Sequence, residues 1–411
     1  MTAVDQAVAD AHRREWAYVL AATVRVTRDL EGAEEAVQDA YVQALSSWRQ
    51  DGVPARPGAW LTTVARRNAL NVLRRRRTLA TKLPLLVERE DAEPPPEPDA
   101  DAVTIPDDRL RLVFICCHPA LSSEAQVALT LRLVCGVATA DIARAFLVAE
   151  PTMAARLTRA RKKITAARIP YAVPSAEELP ARVDVALTVI HLLYAAGHTA
   201  HSGADLVRDE LTERALDLVR MLRLLLPGDG EAAGLLALLL CHEARRTTRT
   251  DGDGRLLRLA EQDRSAWDQA LIAEADRLLV ATLRARPPGR FTLQAAIAAL
   301  HAQAPSYEAT DWPQILTLYD ELLRIWPSPV VALNRAVALA MVDGPEPALA
   351  EVEALERDGR LAGYRYLPST KADLLHRLGR DAEAVTAYQA ALALTGNAAE
   401  QEFLEQRLSA L

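Results

Sequence analysis

The stretch RPGAWLTTVARRNALNVLRRRRT, residues 56–78, carries seven arginines and no acidic residue. From Trp60 onward it lacks Pro and Gly and is rich in Leu, Ala and Arg, which favour helices. At about 100° per residue, one face of such a helix is apolar and consists of Leu61, Val64, Ala65 and Val72. The opposite face carries Arg66, Arg67, Arg74 and Arg77. The stretch therefore predicts an amphipathic helix with one core face and one face of guanidinium groups.

The positive charge is concentrated, although the 411-residue chain has a net charge of −7. Residues 151–168 form a second patch, with six basic residues and no acidic one, whereas residues 88–108 hold nine acidic residues and one Arg. Residues 169–411 hold 24 basic and 34 acidic residues. Solvated faces usually mix signs, because one-sign rows repel. The two patches therefore indicate polyanion binding, with a solvated charged face as the alternative.

Composition predicts an all-α fold. Half of the chain is apolar and only 5% is aromatic, while Ala, Leu and Arg are abundant. No run of about 18 apolar residues appears, so we expect no membrane-spanning helix. The N-terminus, MTAVDQAVADAHRREW, lacks the apolar core of a signal peptide. The four cysteines form no CxxC pair, which favours buried thiols and a cytoplasmic location.

The N-terminal part of the sequence predicts a small helical domain. Residues 31–48 keep a 3/4 spacing of apolar residues, formed by Ala33, Ala36, Val37, Ala40, Tyr41, Ala44, Leu45 and Trp48. A helix is also expected around residues 5–28. The segment DGVPARPG, residues 51–58, is a predicted loop because of its Gly and Pro content. Residues 83–106 contain a triple Pro and many acids, and are predicted to be a linker.

Residues 107–169 predict a helix-turn-helix. Ser123 and Gln126 have capping-box spacing at the start of one helix, and Gly136 is predicted to end it. A short helix from Thr139, a tight turn and a basic helix with Pro151 in its first turn follow. The predicted buried stripe of that last helix is Met153, Leu157, Ala160 and Ile164. Its outward side carries basic residues, as in a helix that enters a DNA groove.

These motifs together resemble a bacterial sigma-70-family factor of the extracytoplasmic-function group. DLEGAEEAVQDAYVQALSSW (29–48) resembles the region-two helix that docks on RNA polymerase. AWLTTVARRNALNVLRRRR (59–77) resembles the helix that engages the −10 promoter element, and residues 121–164 resemble region four, which reads the −35 element. Two departures bear on base preference: Asn71 stands where the family often has Asp, and Ala154 and Ala155 replace polar residues.

The C-terminal part resembles the subgroup with a long extension that ends in tetratricopeptide-like helices. The resemblance rests on residues 237–272, 291–305, 328–349 and 393–408. The spacing of four residues in LGRDAEAVTAYQAALAL matches the second half of such a repeat: Gly379, Ala384, Tyr388 and Ala391. We expect the extension to offer a concave surface around Asn334, Arg335, Tyr388 and Ala391. We also expect it to pack on one or both sigma modules and to act as a fused regulator.

The resemblance implies a partner for each surface, RNA polymerase core or promoter DNA. The expected polymerase contacts are Glu35, Gln38, Asp39 and Gln43. The expected −10 contacts are Trp60, Arg66, Arg67, Asn68, Asn71, Arg74, Arg75, Arg76 and Arg77. The expected −35 contacts are Thr152, Ala155, Arg156, Arg159, Lys162 and Lys163. The loop DGVPARPG is expected to help hold the opened −10 strand.

Other chemistry finds little support in the sequence. His191, His198 and His201 could suggest a metal site, but they lack the HExxH spacing of a zinc helix and adjoin a predicted turn. Cys116 and Cys117 are interpreted as core thiols. The segment TRTDGDG, residues 248–254, is interpreted as a turn because it lacks the closing Glu of a calcium loop. We expect no metal, cofactor or enzymatic activity, because no nucleophile and base can be named.

The sequence predicts five segments. They are sigma region 2 (1–80), an acidic linker (81–106), sigma region 4 (107–170), a helical extension (171–304) and tetratricopeptide-like helices (305–411). The predicted function is promoter-directed transcription initiation with RNA polymerase core. The alternative is a free-standing helix-turn-helix regulator whose tetratricopeptide-like domain is a sensor. A pure interaction scaffold would leave the arginine row unexplained.

Overall fold

The computed structural model describes most of the chain, which divides into two compact units, Met1–Leu192 and Leu193–Leu411. The described residues are 3–82, 108–146, 148–167, 169, 171, 174–175, 177–199, 202–203, 209–252 and 254–411. Nearly all of the predicted acidic linker lies outside them. The described residues are overwhelmingly helical, which confirms the all-α fold class. The five predicted segments stay a prediction.

The first unit is built from short helices around an N-terminal three-helix bundle. Its helices are α1 (Ala3–Thr27), α2 (Leu30–Asp51), α3 (Pro57–Lys82), α4 (Asp108–Cys116), α5 (Ser123–Leu129), α6 (Thr139–Ala145) and α7 (Glu150–Ala166). A π-helical turn, Thr130–Val134, follows α5 without a break. The last helix, α8 (Leu179–His198), begins in this unit and ends in the second.

The first three helices pack on each other pairwise and bury the apolar stripes that the sequence predicts. Asp29 caps α2 by accepting a hydrogen bond from the Glu31 amide. On α3 the buried residues are Leu61, Val64, Ala65 and Ala69. The prediction for Val72 is wrong, because this residue is 37% exposed. It shares the face of Leu61, but α1 and α2 do not bury α3 at that level.

The second unit is a succession of helices in which each packs on the next. They are α9 (Asp209–Leu225), α10 (Gly230–Ala244), α11 (Gln269–Ala285), α12 (Arg290–Gln303), α13 (Trp312–Ile325), α14 (Pro329–Val342), α15 (Pro345–Asp358), α16 (Tyr366–Arg377), α17 (Asp381–Ala393) and α18 (Ala398–Ser409). Two short 3₁₀ turns occupy Arg246–Thr248 and Arg264–Ala266. The two-residue strands β1 (Ser202–Gly203) and β2 (Gly396–Asn397) pair in parallel.

Proline and aspartate set the starts of several helices in this unit. Asp311 caps α13 by accepting from the Gln314 amide, and Pro residues occupy the first turns of α13, α14 and α15. The predicted turn at 248–254 is confirmed: Asp251 accepts from the Arg255 amide, and Thr250 and Leu256 form an antiparallel bridge.

The last helices of the second unit share one core. Tyr388 and Ala391 are 2% and 0% exposed, and they pack with Ala384, Leu404 and their neighbours. Tyr388 and Ala391 therefore pack between neighbouring helices, and the concave surface expected around them stays a prediction. Asn334 is exposed, and Arg335 forms ion pairs at 2.6 Å with Asp320 and Glu351.

Candidate nucleic-acid and polymerase interface

Helix α2 presents a polar side away from its apolar stripe. Glu35, Gln38 and Asp39 are exposed, and Gln43 is half-buried. Gln38 donates to a Glu34 carboxylate oxygen at 3.2 Å, and Gln43 accepts from Arg67 on α3 at 3.4 Å. The four side chains predicted for polymerase contact thus follow one side of a single helix, and none belongs to the core.

On helix α3, Arg66, Arg67 and Arg74 lie on the side opposite the core, whereas Asn68 lies on the same face as Leu61 and Val64. Arg67, Asn71 and Arg74 are exposed, whereas Trp60, Arg66 and Asn68 are half-buried. Trp60 packs edge to face on Trp48, with ring centroids 5.6 Å apart. The side chains of Arg75, Arg76 and Arg77 lie outside the described part of the chain.

Two hydrogen-bond donors on this helix are left without acceptors among the described residues. They are Nε of Arg66 and Nδ2 of Asn68, both buried. A buried donor without a partner costs free energy, so such groups are unusual in folded proteins. Donors of this kind can be satisfied by phosphate or base oxygens.

A groove of about 540 Å³ lies where the 51–58 loop joins α3. Ala55, Arg56 and Pro57 line one side, and Tyr18 of α1, which is 48% exposed, lies on the other. Gly58 fits beside Glu15 because it lacks a Cβ, which would lie 2.3 Å from the Glu15 carboxylate. An exposed aromatic ring next to a guanidinium group can stack on an unpaired base.

Helix α7 carries the second basic face. Its predicted buried stripe is confirmed, since Met153, Leu157, Ala160 and Ile164 are 0–6% exposed. Five of the predicted −35 residues are exposed: Thr152, Ala155, Arg159, Lys162 and Lys163. Arg156 is half-buried and forms an ion pair with Glu124 of α5 at 3.1 Å. The short α6, the turn and α7 have the order and packing of a helix-turn-helix.

The start of α5 differs from the prediction. Ser122, rather than Ser123, is the N-cap, and its hydroxyl accepts from the Ala125 amide at 3.4 Å. Gln126 does not complete a capping box, because its amide donates to the carbonyl oxygens of Cys117 and His118 instead. Gly136 follows the π-helical turn with φ of 69°, a left-handed conformation that glycine adopts readily.

A buried carboxylate joins the two basic modules. The Glu34 side chain on α2 is 7% exposed and pairs with Arg132 of the π-helical turn and Arg161 of α7, both at 2.5 Å. We call this cluster of three side chains the Glu34 triad. Arg132 also donates to the carbonyl oxygen of Val137. Both carboxylate oxygens of Glu34 are therefore satisfied, as a buried charge requires.

Further contacts hold the same modules together. Trp16 of α1 donates to the carbonyl oxygen of Leu133 at 3.0 Å, and Gly136 lies so close that an added Cβ would be 2.9 Å from the Trp16 ring. Tyr171 donates to the carbonyl oxygen of Ala21 at 2.8 Å. The two basic faces thus belong to one compact unit, an arrangement that the sequence analysis did not anticipate.

Of the residues considered for other chemistry, the cysteines lie in core positions and His191 and His198 are half-buried. All four cysteines are buried, and burial raises the pKa of Cys117 to about 12. His198 stacks on Tyr194 with ring centroids 5.3 Å apart, and burial lowers its pKa well below the usual value. His201 lies outside the described residues. Within the described part of the chain, no three His, Cys, Asp or Glu side chains are grouped as metal ligands.

One described helix, α8, has the length and apolar composition that crossing a membrane requires. The core helix of a water-soluble protein has the same properties, and 39% of the most apolar window of α8 is buried. The expected absence of a membrane segment therefore stays a prediction.

Comparison with known proteins identifies three regions of this chain. Residues 5–78 match sigma-70 region 2, residues 111–164 match sigma-70 region 4, and residues 182–283 match a family of unknown function, DUF6596. An uncharacterized protein of Rhizobium meliloti (strain 1021) is 42% identical over 395 residues, which cover 95% of this chain and 93% of that protein. No solved structure matches the chain.

The two matched sigma regions coincide with the two basic modules. Region 2 covers α1, α2 and most of α3, and region 4 covers most of α4 together with α5, α6 and nearly all of α7. Sigma-70 regions 2 and 4 imply RNA polymerase core and promoter DNA as partners. The chain belongs to the sigma-70 family of transcription initiation factors.

Proposed function

We propose that this chain directs RNA polymerase core to a specific class of promoters as an extracytoplasmic-function sigma factor in the cytoplasm. The observation that carries the proposal is the pair of exposed basic faces, on α3 and α7, inside the matched sigma regions. Each face is backed by a buried stripe that fixes its orientation. An acidic remainder keeps such a chain from binding nucleic acid indiscriminately.

On this proposal α3 and the 51–58 loop hold the opened −10 strand. Arg66, Arg67 and Arg74–Arg77 neutralise phosphates, while Trp60, Asn68 and Asn71 lie where bases pass. The groove beside Tyr18 has the volume and the aromatic wall that an unpaired base needs. Phosphate contacts position the strand and base contacts give specificity.

Helix α7 enters the −35 major groove on the same proposal. Thr152, Ala155, Arg156 and Arg159 face base edges, and Lys162 and Lys163 contact phosphates. Arg156 must leave Glu124 to reach a base, because the two are paired at 3.1 Å in this structure. Polymerase core binds the side of α2 that carries Glu35, Gln38, Asp39 and Gln43.

The compact first unit is then a resting form. The −35 and −10 elements lie about 25 base pairs apart, or roughly 85 Å along a duplex with a rise of 3.4 Å. Helix α7, with 17 residues, is only about 26 Å long, and its module contacts α1 and α2 directly. Simultaneous occupation of both elements therefore requires the modules to separate and the Glu34 triad to open.

The extension beyond region 4 is proposed to be a tetratricopeptide-like regulatory domain that contacts one or both sigma modules. Small residues and successive packed helices in α13–α18 support a repeat of this type. A tethered domain acts at an effective concentration that reaches the millimolar range, so a weak contact suffices. Chains ended after residue 170 and near residue 300 should change transcription, in either direction, while the sigma modules stay folded. Equal activity of both shortened chains and the full chain would remove the regulatory role.

Run-off transcription with purified core polymerase and a promoter library tests the sigma function itself. The full chain should bind core tightly, start transcription at a defined promoter set and bind free duplex poorly. Strong sequence-specific duplex binding without polymerase, together with no initiation, would instead identify a free-standing helix-turn-helix regulator with a sensor domain.

A further inference from the structure

The second unit encloses a cavity of about 310 Å³ between α10, α12, α13 and α14. Its apolar walls include Leu238, Ile297, Leu322 and Val331, each no more than 5% exposed. Small-molecule sites in proteins begin near this volume and have the same mostly apolar lining with a few polar groups. We call this space the α10–α14 cavity.

Arg245 brings a positive charge to the α10–α14 cavity. The residue is half-buried, and within the described residues no Asp or Glu forms an ion pair with it. Its guanidinium lies 3.3 Å from Nδ1 of His242. Burial, and to a smaller degree nearby Arg264, lowers the pKa of Arg245 from its usual value. A guanidinium that is partly removed from water and has no carboxylate partner is stabilised by an anion.

Arg264 also carries positive charge close to Arg245, but it is not among the residues that line the cavity. One of its terminal nitrogens donates to the carbonyl oxygens of His301 and Ala304, at 2.6 and 2.9 Å. Nδ1 of His301 is buried without a hydrogen-bond partner among the described residues. Burial, with Arg245 and Arg264, lowers the His301 pKa to about 4, so that the ring is neutral near pH 7. Among the residues that line the cavity, the one guanidinium is therefore that of Arg245, and it lies with the neutral His301 ring and the polar side chains of His242, Gln294, Tyr319 and Asn334.

We propose that the α10–α14 cavity is a binding site for a small monocarboxylate with an apolar body. The carboxylate pairs with Arg245, whose planar guanidinium binds both oxygens of such a group. The apolar body lies against Leu238, Ile297 and Leu322. A phosphate ester is the poorer match, because a dianion needs more than one cationic group and the cavity supplies one.

The position of the cavity gives a proposed role to helices that lie outside the two sigma regions. The DUF6596 match, residues 182–283, contains the α10 side of the cavity with Arg245, and α12–α14 lie beyond it. Ligand binding here is measured on the free chain and does not depend on polymerase or promoter. A failure of the binding proposal is therefore distinguishable from a failure of the proposed sigma function.

Isothermal titration of the full chain tests the site with hexanoate and benzoate. Hexanamide and benzamide are the matched uncharged probes, and inorganic phosphate tests the alternative anion. We expect each carboxylate to bind about tenfold or more tightly than its amide, the ratio that one charge-assisted hydrogen-bond pair supplies. Equal binding of acid and amide, preference for phosphate, or no binding of either carboxylate at millimolar concentration would overturn the proposal.

Variants locate the binding in the cavity. Arg245→Met should remove the preference for carboxylate by about tenfold or more, whereas Arg277→Met, an exposed arginine on α11, should leave it unchanged. Ala298→Leu, which fills the cavity from α12, should weaken acids and amides alike. Circular dichroism shows whether each variant folds. Unchanged carboxylate binding by the folded Arg245→Met or Ala298→Leu variant would place the ligand elsewhere and refute the assignment.

Discussion

Glu34 in the first unit is buried and Arg245 in the second is half-buried, but among the described residues only Glu34 forms ion pairs. Two guanidinium groups lie 2.5 Å from the Glu34 carboxylate, whereas no described acidic residue forms an ion pair with Arg245. Removing the partners of a buried charge is costly, and an unpaired one already carries that cost. Glu34 therefore holds two modules together, whereas the unpaired Arg245 fits the proposed anion site.

The largest expected effect on stability comes from breaking the Glu34 triad. Arg132→Leu combined with Arg161→Leu leaves a 7%-exposed carboxylate without a cation. We expect the first unit to lose about 3–5 kcal/mol of unfolding free energy. Urea unfolding of the full chain, followed by circular dichroism, measures the loss.

Two further variants control for this loss. Adding Glu34→Leu to the double variant should restore most of the stability, because the isolated charge is gone. Replacing the exposed Arg159 and Lys162 by Leu should change stability by no more than about 0.5 kcal/mol. A loss below about 1 kcal/mol in the Arg132/Arg161 variant would contradict the role of Glu34 in holding the two modules together.

His301 in the second unit should make the free energy of unfolding depend on pH. Burial, with Arg245 and Arg264, lowers the His301 pKa to about 4, whereas an unfolded His titrates near 6.5. Between these values the unfolded chain binds a proton that the folded chain does not. Stability is therefore complete above about pH 6.5 and falls toward pH 4, by on the order of 2 kcal/mol from this group.

His301→Phe should flatten this part of the pH profile, and the same change at His376, a more exposed histidine with an ion pair to Asp381, serves as the control. Chemical unfolding at several pH values between 4 and 7 gives both profiles. If His301→Phe and the parent chain lose stability in parallel, the titration has been assigned to the wrong group.

Arg245→Met should not lower the unfolding free energy, in contrast to the loss expected from breaking the Glu34 triad. Replacing a half-buried cation that has no described carboxylate partner by an apolar side chain of similar length should leave the unfolding free energy unchanged or raise it by about 1 kcal/mol. The midpoint of chemical unfolding without added ligand reports the change. A loss of more than about 2 kcal/mol would show that Arg245 already has a stabilising partner, and the contrast with Glu34 would disappear.

The smallest effect concerns α5, which leads into the turn that carries Arg132. Ser122→Ala should cost about 1 kcal/mol because the hydroxyl caps the helix. Ser123→Ala, one residue later, should cost clearly less, since Ser123 is inside the helix and alanine is the better helix former. Thermal unfolding of the two variants side by side compares them. Equal losses would contradict the assignment of Ser122, rather than Ser123, as the N-cap of α5.

Sequence periodicity predicted the helix faces well and predicted long-range contacts poorly. The stripes of α2 and α7 follow directly from residue spacing, because one continuous segment creates them. Glu34 lies between stripe residues, and nothing local links it to Arg132 or Arg161, which are about a hundred residues away. Val72 has the right spacing but is exposed among the described residues, because residue spacing defines a helix face and does not determine whether another element packs on it.

The two candidate sites differ in the same way. The exposed residues of α3 and α7 were predicted because a charged face is visible within one helix. The α10–α14 cavity combines side chains from four helices that are spread over roughly a hundred residues, so no motif marks it. Tyr388 is buried within the last helices, and its place in a tetratricopeptide-like repeat stays a prediction.

Run-off transcription over a promoter library, with purified core polymerase and three versions of the chain, tests the central claim most directly. Arg67→Ala with Arg74→Ala should weaken all promoters alike and reduce the salt dependence by up to about 0.9 log unit per lost phosphate contact. Arg156→Ala should act on one or two −35 base pairs, by about 1–3 kcal/mol. Equal, sequence-independent losses from both variants, or no promoter-specific initiation by the parent chain, would contradict the account.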